Sequence, residues 1–291
     1  MTTINQKYVV ITPIRDEENY IEKTIKSVVS QTLLPLEWII VNDGSTDQTG
    51  RIIDDYAEQY PWIRPVHRKN RGFRRAGGGV IEAFYAGYNV MKSNDYNFIV
   101  KLDGDVSFDE NYFEKSFELF ENSPDLGIGG GLIYNLVAEG LKKEQHPLFH
   151  VRGATKIYKR RCWDAIGGLL PAPGWDTLDE VKANMLGWKT QTFPDLRVIH
   201  YRYTGNADGQ WKTYVKYGRA NYISGYHPLF MVLKCLKRAL NKPFVMGAVG
   251  LLYGYVSGYV KRIPQVDDKA LIAYIRKQQL NKLFLKETIW K

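Results

Sequence analysis

Four short runs rich in β-branched and aromatic residues, YVVIT, EWIIV, WIRPV and NFIVKL, occur between Tyr8 and Leu102, each separated from the next by a helical pattern. Ile21, Ile25, Val28 and Val29 share one face of a 3.6-residue period in the first interval. Ile52, Ile53, Tyr56 and Ala57 do so in the second, and Val80, Ala83, Phe84, Gly87, Tyr88 and Met91 in the third. Strands joined through helices of this length require crossovers, so β-α-β-α-β-α-β predicts an α/β fold: a Rossmann-like, mostly parallel sheet flanked by helices on both faces. Ligands of such sheets sit at the C-terminal ends of the strands.

Each strand end here carries polar chemistry: PIRDEEN, NDGSTD, HRKNRGFRRAGGG and DGDVSFD. In DGD, residues two apart in an extended segment face one side, so Asp103 and Asp105 can point at one place. Carboxylates sharing a site oppose each other's ionisation unless a cation lies between them, and a hard divalent ion such as Mg²⁺ or Mn²⁺ suits two carboxylates and a phosphate. Gly104 would let a ligand approach the backbone. The competing expectation is an exposed turn.

In NDGSTD, cap and turn preferences account for Ser45 and Asp47 but leave Asp43 unexplained, free to accept from the N–H edge of a base. The run HRKNRGFRRAGGG has six basic residues, counting His67, ahead of a glycine-rich helix start. Arg71, Arg74 and Arg75 there can bind a diphosphate, or form a solvated loop. Farther on, Thr177 and Glu180 have the spacing of a capping box in a helix starting near Thr177. The macrodipole favours Asp179, whereas Asp176 has no capping reason to be acidic. Asp176 is the candidate general base, with Asp179 as the alternative. His200 ends a further β-like run, LRVIH, as a core residue or a metal ligand.

Together these loops resemble glycosyltransferase family 2. The family's P-x-Y-N-E-E opening is similar to TPIRDEE, with Pro13, Glu17 and Glu18 matching and Arg15 and Asp16 departing; V-D-D-G-S-T-D resembles VNDGSTD, with Asn42 replacing the first acid. The D-x-D looks like Asp103 and Asp105, and the acidic pair ahead of a Gly-Trp helix end looks like Trp175-Asp176, with tryptophan replacing the first acid. The resemblance covers about residues 7 to 205. It implies a GT-A fold and inverting, metal-dependent transfer of a sugar from a nucleotide diphosphate sugar, UDP-sugars favoured, to a hydroxyl, in cell-envelope glycan or polysaccharide synthesis. Pro13, Glu17, Asp43, Asp103 and the three arginines would then bind donor, Asp103, Asp105 and His200 would hold Mg²⁺ or Mn²⁺, and Asp176 would be the base. A nucleotidyltransferase would carry a basic glycine-rich signature after the first strand, where this chain is acidic. A non-catalytic nucleotide-binding module would have lost the aspartates. Nucleic-acid binding is disfavoured by the acidic strand ends.

From about residue 210 the pattern is helical. We place the catalytic domain at residues 1–228 and a C-terminal helical appendage at 229–291. The segment Pro243 to Val260 has 18 uncharged residues, at the lower limit of a membrane span, with Gly250, Gly254 and Gly258 at a spacing suited to close helix contact. It is either a membrane-surface element or a packed helix; the flanking bases suit an anionic surface, and a lipid-linked acceptor would be reasonable. Two scattered cysteines and an N-terminus without a leader pattern lead us to expect a cytoplasmic protein, and the Pro243 to Val260 segment to expect it peripheral to the membrane's inner face.

Overall fold

A computed structural model describes residues 6–72, 78–202, 209–240 and 244–290. The expected alternation is present: β1 (Tyr8–Ile14), α1 (Ile21–Val29), β2 (Glu37–Asn42), α2 (Thr49–Gln59), β3 (Ile63–His67), α3 (Gly78–Tyr88) and β4 (Phe98–Leu102). These four strands pair in parallel in the order β3-β2-β1-β4. Pro13 has no N–H to give, and it lies beyond the β1 to β4 pairing, which ends at Ile11.

After β4 come β5 (Val106–Phe108), α4 (Tyr112–Glu121), β6 (Leu126–Val137), β7 (Gly140–Lys143), β8 (Thr155–Lys159), α5 (Arg160–Ile166), α6 (Trp175–Met185) and β9 (Lys189–His200). The sheet continues β4-β8-β6-β9-β5, where β8 runs antiparallel to β4 and β6, β9 parallel to β6, and β5 antiparallel to β9. This mixed half brings the end of β9 beside β5, so residues distant in sequence meet at one edge.

Both sheet faces are covered. Tyr8, Val10, Trp38, Ile40 and Val100 pack with α1, α2 and α4; Val9, Ile11, Ile39 and Ile99 pack with α3 and α5. Because every strand residue from Tyr8 to Ile14 is buried, β1 reads as an uninterrupted apolar run rather than an alternation. Trp38 is fully buried, and its indole N–H donates to Thr12 Oγ1 at 2.8 Å, so the ring gains burial without stranding a donor.

The C-terminal helices are α7 (Gln210–Ile223), α8 (Pro228–Ala239), α9 (Phe244–Val260) and α10 (Lys269–Leu283). Close helix contact at the glycine repeat is realised: a Cβ on Gly254 would lie 2.1 Å from the Val215 carbonyl, and one on Gly218 would lie 1.9 Å from that of Leu251. The α7 and α9 backbones therefore cross where neither tolerates a side chain. A third cluster of buried side chains joins Leu178 and Val181 of α6 to Tyr222, Met231, Leu251, Leu271 and Ile275, so the C-terminal helices brace α6. Among the described residues, no helix is long and apolar enough to cross a membrane.

Candidate active site

The loops after β1 and β2 are sewn together by their own polar groups. Ser45 Oγ accepts from the Asp16 N–H, Asp16 Oδ1 from Thr46, Thr49 Oγ1 from Glu17, and Asp47 from both Glu18 and Thr49. Asp16 takes φ 54°, a left-handed conformation that aspartate tolerates better than most residues. Ser45 and Asp47 thus do turn work, as expected. Asp43, beside them, is gripped by arginine: Arg68 donates to Oδ1 at 2.6 Å and Arg71 to Oδ2, while Arg71 also donates to Glu82 at 2.9 Å. Gly44, at φ 76°, lets Asn70 pass so near that a Cβ would lie 2.5 Å from its Cα. That approach holds the basic loop over Asp43. Arg74 and Arg75 lie outside the described residues.

Asp103, Asp105 and His200 converge, with one ligand atom of each lying within 4.8 Å of the others. Val106 of β5 pairs with His200 of β9, and the Tyr201 N–H donates to the Asp105 carbonyl, which fixes this meeting. His200 Nδ1 lies 3.2 Å from Asn135 Oδ1, so that nitrogen donates and Nε2 is left facing the carboxylates. Two carboxylate oxygens and an imidazole nitrogen form a donor set that fits a divalent cation such as Mn²⁺ or Mg²⁺. Burial lowers the pKa of His200, but the hydrogen bond and charge of Asp105 outweigh it and the net shift is upward. Arg202 links this cluster to Glu17, 2.5 Å away, and reaches within 3.9 Å of Asp105.

Gly104 serves a different purpose from the one expected. Its missing side chain faces inward, where a Cβ would lie 2.4 Å from Ile14 Cγ2 and 3.2 Å from Ile21 Cδ1. Core packing, rather than ligand approach, excludes a side chain there.

Helix α6 begins at Trp175, two residues earlier than expected, after Gly174 at φ 87°. Asp176 therefore sits in the first turn, with its side chain 27% exposed and 3.9 Å from Arg152. The expected capping box does not form. Glu180 is instead fully buried, accepting from the Val151 N–H at 2.7 Å and pairing with Lys156 at 2.8 Å and His150 at 2.8 Å. Lys156 also donates to Asp179 and to the Asp176 carbonyl, and Tyr158 donates to Asp179 at 2.5 Å. One ammonium thus serves two buried carboxylates. Burial, set against Lys156 and reinforced by Glu180, pushes Asp179 up to about 6.

Lys156 stands directly opposite Lys101 in the β4–β8 register, a like-charge pairing that is unfavourable in isolation. Each has its own counter-charges, since Lys101 pairs with Asp103 and donates to the Gly153 carbonyl at 2.6 Å. Trp175 lies between these demands, its ring 5.4 Å from one ammonium and 5.5 Å from the other. A cavity of about 220 Å³ is lined by Lys101, Asp103, Glu144, Arg152, Gly153, Trp175, Asp176 and His200. Metal-site and base candidates therefore face one space. Lys101, Lys156, Arg152 and Asn135 escaped the sequence reading, although a lysine inside FIVKL and another inside TKIYK are each a charge within a buried strand, a signal in itself.

The family model described as glycosyl transferase family 2 matches residues 9–172, more than half the chain. The chain belongs to glycosyltransferase family 2. Within that family it is 28% identical over 164 residues to glycosyltransferase GlyA of Streptococcus pneumoniae serotype 4, which is 56% of this chain and 21% of that protein. It is 38% identical over 88 residues to the uncharacterized glycosyltransferase EpsJ of Bacillus subtilis, 30% of this chain and 26% of that one. Against the chondroitin synthase of Escherichia coli the identity is 32% over 87 residues, 29% of this chain and 12% of the synthase. The matches thus span about a quarter or less of each of these relatives.

Solved structures share the fold of this family 2 chain. GalNAc-T7 with UDP, GalNAc and Mn²⁺ has a TM-score of 0.62 at 13% identity, over 96% of this chain and 57% of that one. The mannosyltransferase PcManGT of Pyrobaculum calidifontis with GDP-Man and Mn²⁺ scores 0.54 at 15% identity, over 96% and 88%. Residues 1–349 of TarS from S. aureus with UDP-GlcNAc score 0.55 at 13% identity, over 95% and 81%. At these identities the likeness is one of fold, the GT-A arrangement that the sequence motifs imply.

Proposed function

We propose that the protein is a metal-dependent, inverting hexosyltransferase that moves a sugar from a nucleotide diphosphate sugar, a UDP-sugar foremost, to a hydroxyl acceptor in cell-envelope glycan synthesis. One observation carries the reading: Asp103 and His200, members of a three-residue donor set suited to a divalent cation, line the same cavity as Asp176. Family membership and the nucleotide sugars bound by proteins of the same fold support it.

Asp103, Asp105 and His200 would hold Mg²⁺ or Mn²⁺, whose charge would offset that of the leaving diphosphate. Arg71, with Arg74 and Arg75, adds cationic contacts to the phosphates, while Pro13, Glu17 and Asp43 shape the nucleoside pocket. Asp176 takes the proton from the acceptor hydroxyl as its oxygen bonds to the anomeric carbon. The bond from that carbon to the phosphate oxygen breaks, and the nucleoside diphosphate leaves with the electron pair. One displacement with one base inverts the configuration. Asp179, the alternative base, is 3% exposed, shared by Lys156 and Tyr158, and absent from the cavity wall, so Asp176 is the better assignment. The acceptor would be lipid-linked or otherwise near a membrane, with the protein peripheral to its cytoplasmic face.

Isothermal titration of UDP, GDP and dTDP, with Mn²⁺ and then with EDTA, tests the donor half of this reading. Metal-dependent binding of UDP above the others, lost in Asp105→Ala, is expected. Binding of no nucleotide under either condition would overturn it. For the base, Asp176→Asn should leave nucleotide affinity nearly intact and lower turnover by roughly 10²-fold or more.

A further inference from the structure

Two helices outside the cavity carry apolar side chains outward. On α8, Leu229, Val232, Leu233 and Leu236, with Leu240 at its C-cap, recur at helical spacing along one face, and all are exposed, Leu236 at 61% and Leu240 at 79%. On α9, Val245, Val249, Leu252, Val256 and Val260 form a second stripe, exposed by 39 to 77%. These stripes are not the surfaces by which the helices pack. The inner side of α8 is Met231 and Cys235, and that of α9 is the glycine row pressed on α7. A helix apolar on its outer face, beside a second of the same kind, is a surface built for another phase or partner rather than scattered exposure.

The charge pattern selects the occupant. From Gly209 to Val266 the chain contains nine lysines and arginines and no aspartate or glutamate, which equals the formal excess of +9 carried by the whole protein. A second copy would meet this surface with the same sign of charge. An anionic bilayer offers both a complementary charge and an apolar layer for the stripes. Among the described residues α9 runs for 17 residues and is not long and apolar enough to cross a bilayer, and its glycine face is committed to α7.

We propose that α8 and α9 lie side by side in the headgroup region of an anionic membrane, with their leucine and valine stripes in the acyl boundary and the surrounding bases at the phosphates. The glycine repeat, the membrane-like feature of the sequence, faces away from the lipid. Helix α8, whose leucines alternate with lysines, supplies half of the contact. Because the buried cluster under these helices includes Leu178 and Val181 of α6, the docked face backs onto the helix that carries Asp176. What the docking achieves, delivery of a membrane-held acceptor to that residue, rests on the transferase reading; the docking itself does not.

The test is flotation of the full chain with vesicles of phosphatidylcholine alone or mixed with phosphatidylglycerol, alongside sedimentation without lipid. The expected result is binding to the phosphatidylglycerol vesicles only, weakened by salt, and reduced about tenfold or more in Leu236→Glu combined with Val249→Glu. That variant should keep the wild-type melting temperature, since both side chains already face solvent. As a readout independent of its folding, an environment-sensitive dye on Leu236→Cys should shift to the blue on anionic vesicles. Several outcomes would overturn the proposal: no flotation, equal flotation with both vesicle types, unchanged flotation of the double variant, or a lipid-free dimer that the variant dissolves. Nucleotide binding measured on the same samples reports separately on the transferase reading, so failure of one leaves the other standing.

Discussion

His200 presents Nε2 3.3 Å from Asp105 Oδ1 while Asn135 Oδ1 holds its other ring nitrogen at 3.2 Å. A carboxylate, an imidazole and an outer amide in line have the arrangement of a candidate ligand pair with its orienting partner. We expect His200→Ala to abolish measurable Mn²⁺ binding in titrations without nucleotide. Asn135→Leu, which keeps both ligands but releases the ring, should weaken it by roughly 10–100-fold. Unchanged Mn²⁺ affinity in His200→Ala would remove the histidine from the metal site.

The glycine between the two aspartates yields a stability prediction. With Ile14 Cγ2 only 2.4 Å from where a Cβ would stand, Gly104→Ala overpacks the core beneath the acidic loop. A loss of about 1–3 kcal/mol is expected by denaturant unfolding, and in an Ile14→Ala background, where room has been made, Gly104→Ala should cost little further. A fully stable Gly104→Ala single variant would mean that the core yields there.

The buried cluster around Lys156 predicts how stability responds to pH. Asp179 takes a proton near pH 6 in the folded protein but near 3.8 in the unfolded chain. The favourable contribution of that proton is therefore fully present below about pH 4 and lost as pH rises through 6. His150 acts in the same direction. Burial lowers its pKa, Glu180 raises it more, and the net upward shift favours the folded state at pH values below its folded pKa. Asp179→Asn stays neutral throughout, so its melting temperature relative to wild type should climb between about pH 4 and pH 7 and level off above. A constant difference would mean that Asp179 does not titrate in the folded state. Removing the ammonium instead, as in Lys156→Met, strands two buried carboxylates and should cost about 3–5 kcal/mol.

Much of the first half was legible because its physics is local. β1 to β4 and the helices between them announce themselves by period, and strand-end chemistry follows from a parallel sheet. Asp43 and Asp103 could be singled out because each directly follows such a strand, and Asp105 because it stands two residues on, in the turn that leads into β5. What sequence could not supply was non-local. The partner of Glu180 is a lysine 24 residues earlier and a histidine 30 residues earlier, and a capping-box spacing hid both. The inward side of Gly104 depends on where Ile14 lies. Likewise, the apolar pattern of Pro243 to Val260 left a membrane-surface element and a packed helix equally open, and could not say which of its faces α7 would cover.

Asp43 and its two arginines allow a last test, of who reads the base and who holds the phosphates. Both carboxylate oxygens are engaged, Oδ1 by Arg68 and Oδ2 by Arg71, yet each retains a lone pair for a further donor. Asp43 can accept from a nucleobase without surrendering its arginines, and the arginines keep N–H groups to spare for a diphosphate. Asp43→Ala should therefore weaken uridine and UDP alike, by about 10–100-fold for one lost bond to a charged group. Arg71→Gln should weaken UDP and leave uridine nearly unchanged. Competition titrations against a fluorescent UDP analogue would separate the two. If Asp43→Ala spares uridine but weakens UDP, the carboxylate acts only by positioning Arg68 and Arg71, and base selection must come from elsewhere in the β1 and β2 loops.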